Sequence, residues 1–80
     1  MHQIGDIYRH GDGAETLKFM LCLIGKNKCC LVDVDNGNRW IDAVSVSAFQ
    51  GAVRTHISDA DFDKVIGPEH TGTFERTRRV

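Results

Sequence analysis

The sequence predicts a mainly β fold with one short helix: about four to six short antiparallel strands in a strongly bent sheet or small SH3-like barrel. Three observations carry this. The stretch Leu17 to Val46, LKFMLCLIGKNKCCLVDVDNGNRWIDAVSV, holds most of the residues able to fill a core, and its turn residues divide it into successive strands of a meander. Asp35-Asn36-Gly37-Asn38 is the strongest local signal, because Asn-Gly between apolar strands is a preferred hairpin connection. Ser58-Asp59-Ala60-Asp61 opens a helix over 58–66: Ser58 can cap the exposed amides, the acids complement the helix dipole, and Gly67-Pro68 closes it.

The first strand is expected over Ile4 to Arg9 at a sheet edge, with Ile4, Asp6 and Tyr8 on one face and Gly5, Ile7 and Arg9 on the other. His10-Gly11-Asp12-Gly13 has loop chemistry, since glycine accepts positive φ and Asp12 can bond its own backbone. Glu15 to Ile24 is the longest strand candidate. Leu17, Phe19, Leu21 and Leu23 share one face, while Lys18, Met20, Cys22 and Ile24 share the other, which turns from charged to apolar along its length. Covering on both faces over the second half is the simplest account, and it suits a strand bending around a small barrel.

Gly25 to Lys28 then reads as a tight turn, and Cys29 to Val34 as the returning strand, with Cys30, Val32 and Val34 opposed to Cys29, Leu31 and Asp33. Arg39 to Val46 is its partner, and places Trp40, Asp42, Val44 and Val46 on one face. Trp40 is expected to plug the core, with an exposed ligand platform as the alternative. Asp42 speaks against burial of that face, since an unpaired carboxylate does not sit in a dry core. From Ser47 to Gly51 the pattern breaks around Phe49 as a turn anchor, and Ala52 to Ile57 supplies one more short strand. Phe62, Val65 and Ile66 form the inward face of the helix, and the polar tail 69–80 either stays loose or adds a final edge strand through Phe74.

Eighty residues make one domain, near the size at which a single core stabilises a fold only narrowly, so a homodimer is a live option. An apolar fraction of 41% with 26% charged residues argues against disorder. The formal charge of −1 gives none of the basic excess that drives non-specific phosphate binding, and Arg76, Arg78 and Arg79 are the only basic cluster along the chain. MHQIGDIYRH lacks the layout of a secretory signal, and no stretch reaches the roughly 20 apolar residues of a membrane span, which makes a cytoplasmic protein the expectation.

Cys22, Cys29 and Cys30 are an odd set without paired C-x-x-C spacing, and His2, His10, His56 and His70 are scattered, so the cysteines read as buried, reduced and hydrophobe-like rather than as metal ligands. Asp33-x-Asp35-x-Gly37 begins like an EF-hand loop. The fit fails because the glycine falls one position early and Val44 stands where a bidentate Glu is required. His56, Ser58 and Asp59 are neighbours in sequence, which does not define a triad, and Ser58 is already suited to capping. No phosphate-binding loop or H-E-x-x-H is present. The expectation is a non-enzymatic chain with no cofactor.

A binding surface fits better. Tyr8, Arg9, Arg39 and Trp40 are residue types that dominate interface hot spots, and Asp59, Asp61 and Asp63 give the helix either a negative patch or an ordinary solvated face. These residues also carry a resemblance. Gly5-Asp6-x-Tyr8-Arg9, Phe19-x-Leu21, Leu31-Val32-Asp33-Val34-x-Asn36-Gly37-Asn38-Arg39-Trp40 and Ile57-Ser58-x-x-Asp61-Phe62, spread over about residues 4 to 66, resemble small phage- and prophage-encoded accessory proteins. The resemblance implies a leader strand, a meander with a G-N-R-W turn and a capped helix. It also implies a protein that binds and inhibits or modulates a host protein in the host cytoplasm, as counter-defence proteins do. The alternative is a nucleic-acid-binding barrel in which bases stack on Tyr8 and Trp40 and phosphates meet Arg76, Arg78 and Arg79.

Overall fold

A computed structural model of the chain describes residues 1–11, 16–46, 49 and 55–80. Its elements are β1 (His2–Gln3), β2 (Ile7–His10), β3 (Leu17–Ile24), β4 (Lys28–Asp33), β5 (Val44–Ser45), β6 (His56–Ile57), α1 (Asp59–Ile66), a single 3-10 turn (Pro68–His70) and β7 (Phe74–Arg78). The expected features at 12–15, 47–48 and 50–54, namely most of the loop after His10, the start of the long strand, the break after Val46 and the first half of the strand Ala52 to Ile57, lie outside the described residues. Among the described residues no helix is long and apolar enough to cross a membrane.

The strands form two antiparallel sheets, a small one of β1 and β6 and a larger one in the order β5-β4-β3-β2-β7. Among the described residues neither closes, so of the two expected forms, bent sheet or small barrel, the open sheet is the one formed. Closure would require β5 to pair with β7, and the β5 edge is too fragmentary for that. Val32 bridges Arg39 alone, and pairing resumes only at Cys29↔Val44 and Lys28↔Ser45, so Ile41 and Asp42 fall outside the ladder and are exposed. The expected strand Arg39 to Val46 is thus a bridge followed by a two-residue strand.

The cause of the break is local. Asp33 Oδ1 accepts the amides of Asp35 and Asn36, at 2.8 and 3.4 Å, and Asn36 Oδ1 accepts that of Asn38 at 2.8 Å. Gly37, at φ 76°, donates to Asp33 O rather than sitting in a two-residue turn. The connection is widened, and the returning chain loses its register.

β2 begins at Ile7, not Ile4, and lies between β3 and β7, so the edge position expected for the first strand belongs to β7. Gly5 at φ 98° turns the chain, and Asp6 N donates back to Gln3 O. The tail is ordered into β7, antiparallel to β2. The helix is where its cap predicts: Asp61 N donates to Ser58 Oγ at 3.1 Å, Phe62, Val65 and Ile66 are buried, and Gly67 leaves at φ 89°.

Opposed residues of an antiparallel pair share a face. The pairs Tyr8↔Phe19, Leu21↔Leu31 and Leu23↔Cys29 define an inner face, which packs with Ile57, Phe62, Val65 and Ile66 into one core. The outer face carries Ile7↔Met20, Met20↔Val32 and Cys22↔Cys30. Of the double covering expected there, Met20, Cys22 and Ile24 show half-burial, while Cys30, opposite Cys22 on the same face, is fully buried.

Candidate functional site

The outer face of the larger sheet gathers cations over an aliphatic floor. Arg9 lies opposite Lys18, Arg78 opposite Ile7, Lys28 opposite Ile24, and Arg39 opposite Val32. The one carboxylate that the pairing places among them is Glu75, opposite Arg9 and bonded to its guanidinium. Lys18, Lys28, Arg39 and Arg78 have no carboxylate partner among the described residues. Like charges directly opposed across strands, as Arg9 and Lys18 are, weaken a sheet. Arg9 is offset by its bond to Glu75 of β7, whereas Lys18 has no such compensation among the described residues.

A trough of about 590 Å³ runs across this face, with Ile7, Met20 and Val34 as its floor and Arg9, Lys18 and Arg78 at its rim. Val34 is 45% exposed although its neighbour Asp33 is buried, because the strand's alternation aims it outward. Cations beside low-dielectric apolar surface concentrate a positive potential, so a chain of net charge −1 presents one locally positive face. Next along that face the thiols of Cys22 and Cys30 are both held above their ordinary pKa by burial, while burial, followed by the influence of Cys30, pushes Cys29 up to about 11. All three stay protonated at neutral pH, which leaves no thiolate nucleophile.

The residues singled out from sequence divide between the two faces. Tyr8 is buried at 1% exposure on the inner face, hydrogen-bonded through its hydroxyl to His2 Nδ1 and packed on Phe62 at 4.6 Å between rings. It offers nothing to a partner and belongs to the core. Trp40 is half-buried: its indole Nε1 donates to Ile66 O at 3.0 Å, and its ring meets Phe19, Phe74 and His70 edge-on at 5.5, 5.2 and 5.0 Å. It plugs the gap between the helix end and the sheet. Asp42 poses no conflict, since it is exposed where the strand is broken.

The three helix acids do not form one patch. Asp61 is buried and accepts Lys64 Nζ at 3.3 Å, Asp63 is half-buried, and only Asp59 is exposed, where its carboxylate meets His2 Nε2 at 3.1 Å. The C-terminal arginines also part. Arg76 turns inward to donate to Met1 O at 2.9 Å and Asp6 Oδ2 at 3.4 Å, Arg78 joins the outer face, and Arg79 is exposed beyond β7. Of the expected site residues, the fold therefore sets Arg9 and Arg78 together at the trough and Arg39 farther across the same face.

Sequence reasoning missed Lys18 and Lys28, although a signal was present: Lys18 stands two residues before Met20 and Lys28 two before Cys30, the period that puts them on the face of those apolar neighbours. It also missed Asp6, whose buried carboxylate accepts the amides of Gln3 at 3.1 Å and Val80 at 3.0 Å as well as Arg76. The calcium-like loop uses Asp33 on backbone amides, and among the described residues no cluster of His, Cys, Asp and Glu could hold a metal ion. No protein-family model, curated protein or solved structure matches this chain.

Proposed function

We propose that this chain is a non-enzymatic binding protein that holds an acidic partner protein against the outer face of its larger sheet. The observation that carries the reading is that Arg9, Lys18 and Arg78 rim an aliphatic floor, with Lys28 and Arg39 on the same face and Glu75 as the one carboxylate that the pairing sets among them in the described residues. Unpaired cations at the rim steer an acidic surface into place, and Ile7, Met20 and Val34 supply apolar area to bury beneath it. The resemblance to phage accessory proteins makes a host protein the expected partner, inhibited or modulated by occupation of its surface.

Single-stranded nucleic acid is the second reading, favoured by the same cations. Among the described residues it lacks a stacking platform, because the pairing sets Tyr8, Phe19 and Phe74 on the inner face and Trp40 is hydrogen-bonded to the helix end. Capture from a host lysate by the wild-type chain and by a Lys18→Glu, Arg39→Glu, Arg78→Glu variant of equal melting temperature tests the proposal. Acidic proteins retained by the first and lost by the second support it. An identical set retained by both would overturn it, and retention that disappears with nuclease, or a steep salt slope on a generic oligonucleotide, would put nucleic acid in its place.

A further inference from the structure

The cationic trough ends at an open strand. β7 closes one side of the larger sheet, pairs with β2 on its inner side, and among the described residues has no strand on its other side. It is five residues long and free of proline, whereas the opposite edge, β5, has two residues. Alternate residues of such an edge direct their N–H and C=O groups outward, which is a template for another strand. Charged side chains usually protect edges of this kind. Here Arg76 is turned inward onto Asp6 and Glu75 is engaged by Arg9, so among the described residues Arg78 is the one charge on β7 without a partner.

Charge decides what such a strand must be. Pairing β7 with β7 of a second copy would set two cationic faces side by side in one continuous sheet, each bearing Arg9, Lys18 and Arg78, with each Glu75 already engaged by its own Arg9. A segment bearing carboxylates removes that repulsion. A strand added beside β7 would lie about 4.8 Å from it, close enough for the side chains on its outer face to reach Arg78 and lean over Ile7. Side chains of an extended segment point alternately to the two faces, so every second residue would face the trough rim.

We propose, building on the outer-face reading above, that β7 receives an extended acidic segment of the partner as a further strand: main-chain bonds to the edge hold it, and alternate carboxylates meet Arg78 and the trough. Backbone pairing provides affinity that charge alone would not, and the position of Arg78 fixes the register.

The probe is a terminally blocked peptide alternating glutamate with valine, compared with the same peptide N-methylated at every second amide, which keeps the charges and removes one edge's hydrogen bonds. The proposal expects the first peptide to bind, to slow amide exchange within Phe74–Arg78, and to lose about tenfold in affinity on N-methylation, as the removal of one or two net hydrogen bonds implies. Arg78→Glu should weaken it more than Lys28→Glu, at the far end of the face. Equal binding of both peptides with unchanged exchange in β7 would overturn the strand and leave the outer-face reading standing, because charge alone would then account for binding. No binding of either peptide, or concentration-dependent protection of β7 in the free protein, would also overturn the strand, the latter in favour of a second copy.

Discussion

Replacing Trp40 with alanine separates a structural from a binding role for the largest side chain in the sequence. The indole bridges two parts of the fold: its N–H satisfies the carbonyl of Ile66 at the end of α1, and its ring packs edge-on against Phe19 and Phe74 of the larger sheet. Deleting a fully buried aromatic side chain costs about 3–5 kcal/mol, and half-burial places Trp40 near the lower end, at about 3 kcal/mol. Trp40→Phe keeps most of the ring contact and leaves the helix-end carbonyl without its donor, for about 1 kcal/mol. For a domain this small, each kcal/mol moves the melting temperature by about 4–8 °C, so the alanine variant should melt at least roughly 12 °C lower and the phenylalanine variant several degrees lower. Urea unfolding followed by far-ultraviolet circular dichroism measures both. An alanine variant within about 0.5 kcal/mol of wild type, the range of an ordinary surface substitution, would refute the plug.

Other consequences are open to measurement. Gly37→Val forces a β-branched residue to φ 76°, and although a Cβ there meets nothing within 4 Å, the backbone strain alone should cost about 1–2 kcal/mol in urea unfolding. Asp6→Ala removes the carboxylate shared by Arg76 and the amides of Gln3 and Val80 and should destabilise by about 3 kcal/mol, as breaking buried pairs does. A loss below about 1 kcal/mol would mean that the clamp contributes little. His2, stacked on Phe62 at 3.9 Å, has its pKa lowered from 6.5 by burial, against the attraction of Asp59. Its neutral form is therefore favoured by folding. The stability this contributes is complete above pH 6.5, shrinks as the pH falls toward the depressed folded value, and changes no further below that value. His2→Phe should flatten the pH dependence of the melting temperature below 6.5, and an unchanged dependence would remove His2 as its source.

What could be read from the sequence was what is encoded locally. Ser58 and Gly67 set the helix limits through their own backbone and side-chain chemistry, and the alternation from Leu17 to Ile24 gave the central strand and both of its faces correctly. Which face would stay open was not legible, because covering depends on where α1 packs and not on the strand itself. The apolar second half of its other face, with Met20, Cys22 and Ile24, accordingly suggested a second buried face. The strand expected at Arg39 to Val46 failed for a different reason: side-chain bonds from Asp33 and Asn36 to nearby amides outweighed the Asn-Gly preference and shifted the register. Asp6 and Arg76 are 70 residues apart, and no periodicity connects them. Arg76 therefore read as one more exposed arginine of the tail.

Arg39 and Trp40 are neighbours in sequence with different surroundings, Arg39 opposite Val32 on the outer face and Trp40 bonded to the end of the helix. The most direct measurement compares Arg39→Glu with Trp40→Phe for melting temperature and for affinity toward the captured partner. The outer face as binding surface predicts that Arg39→Glu keeps the melting temperature and loses affinity, while Trp40→Phe lowers the melting temperature and keeps affinity. The opposite pattern, with the partner lost through Trp40 and retained without Arg39, would contradict it and place recognition on the aromatic side of the sheet.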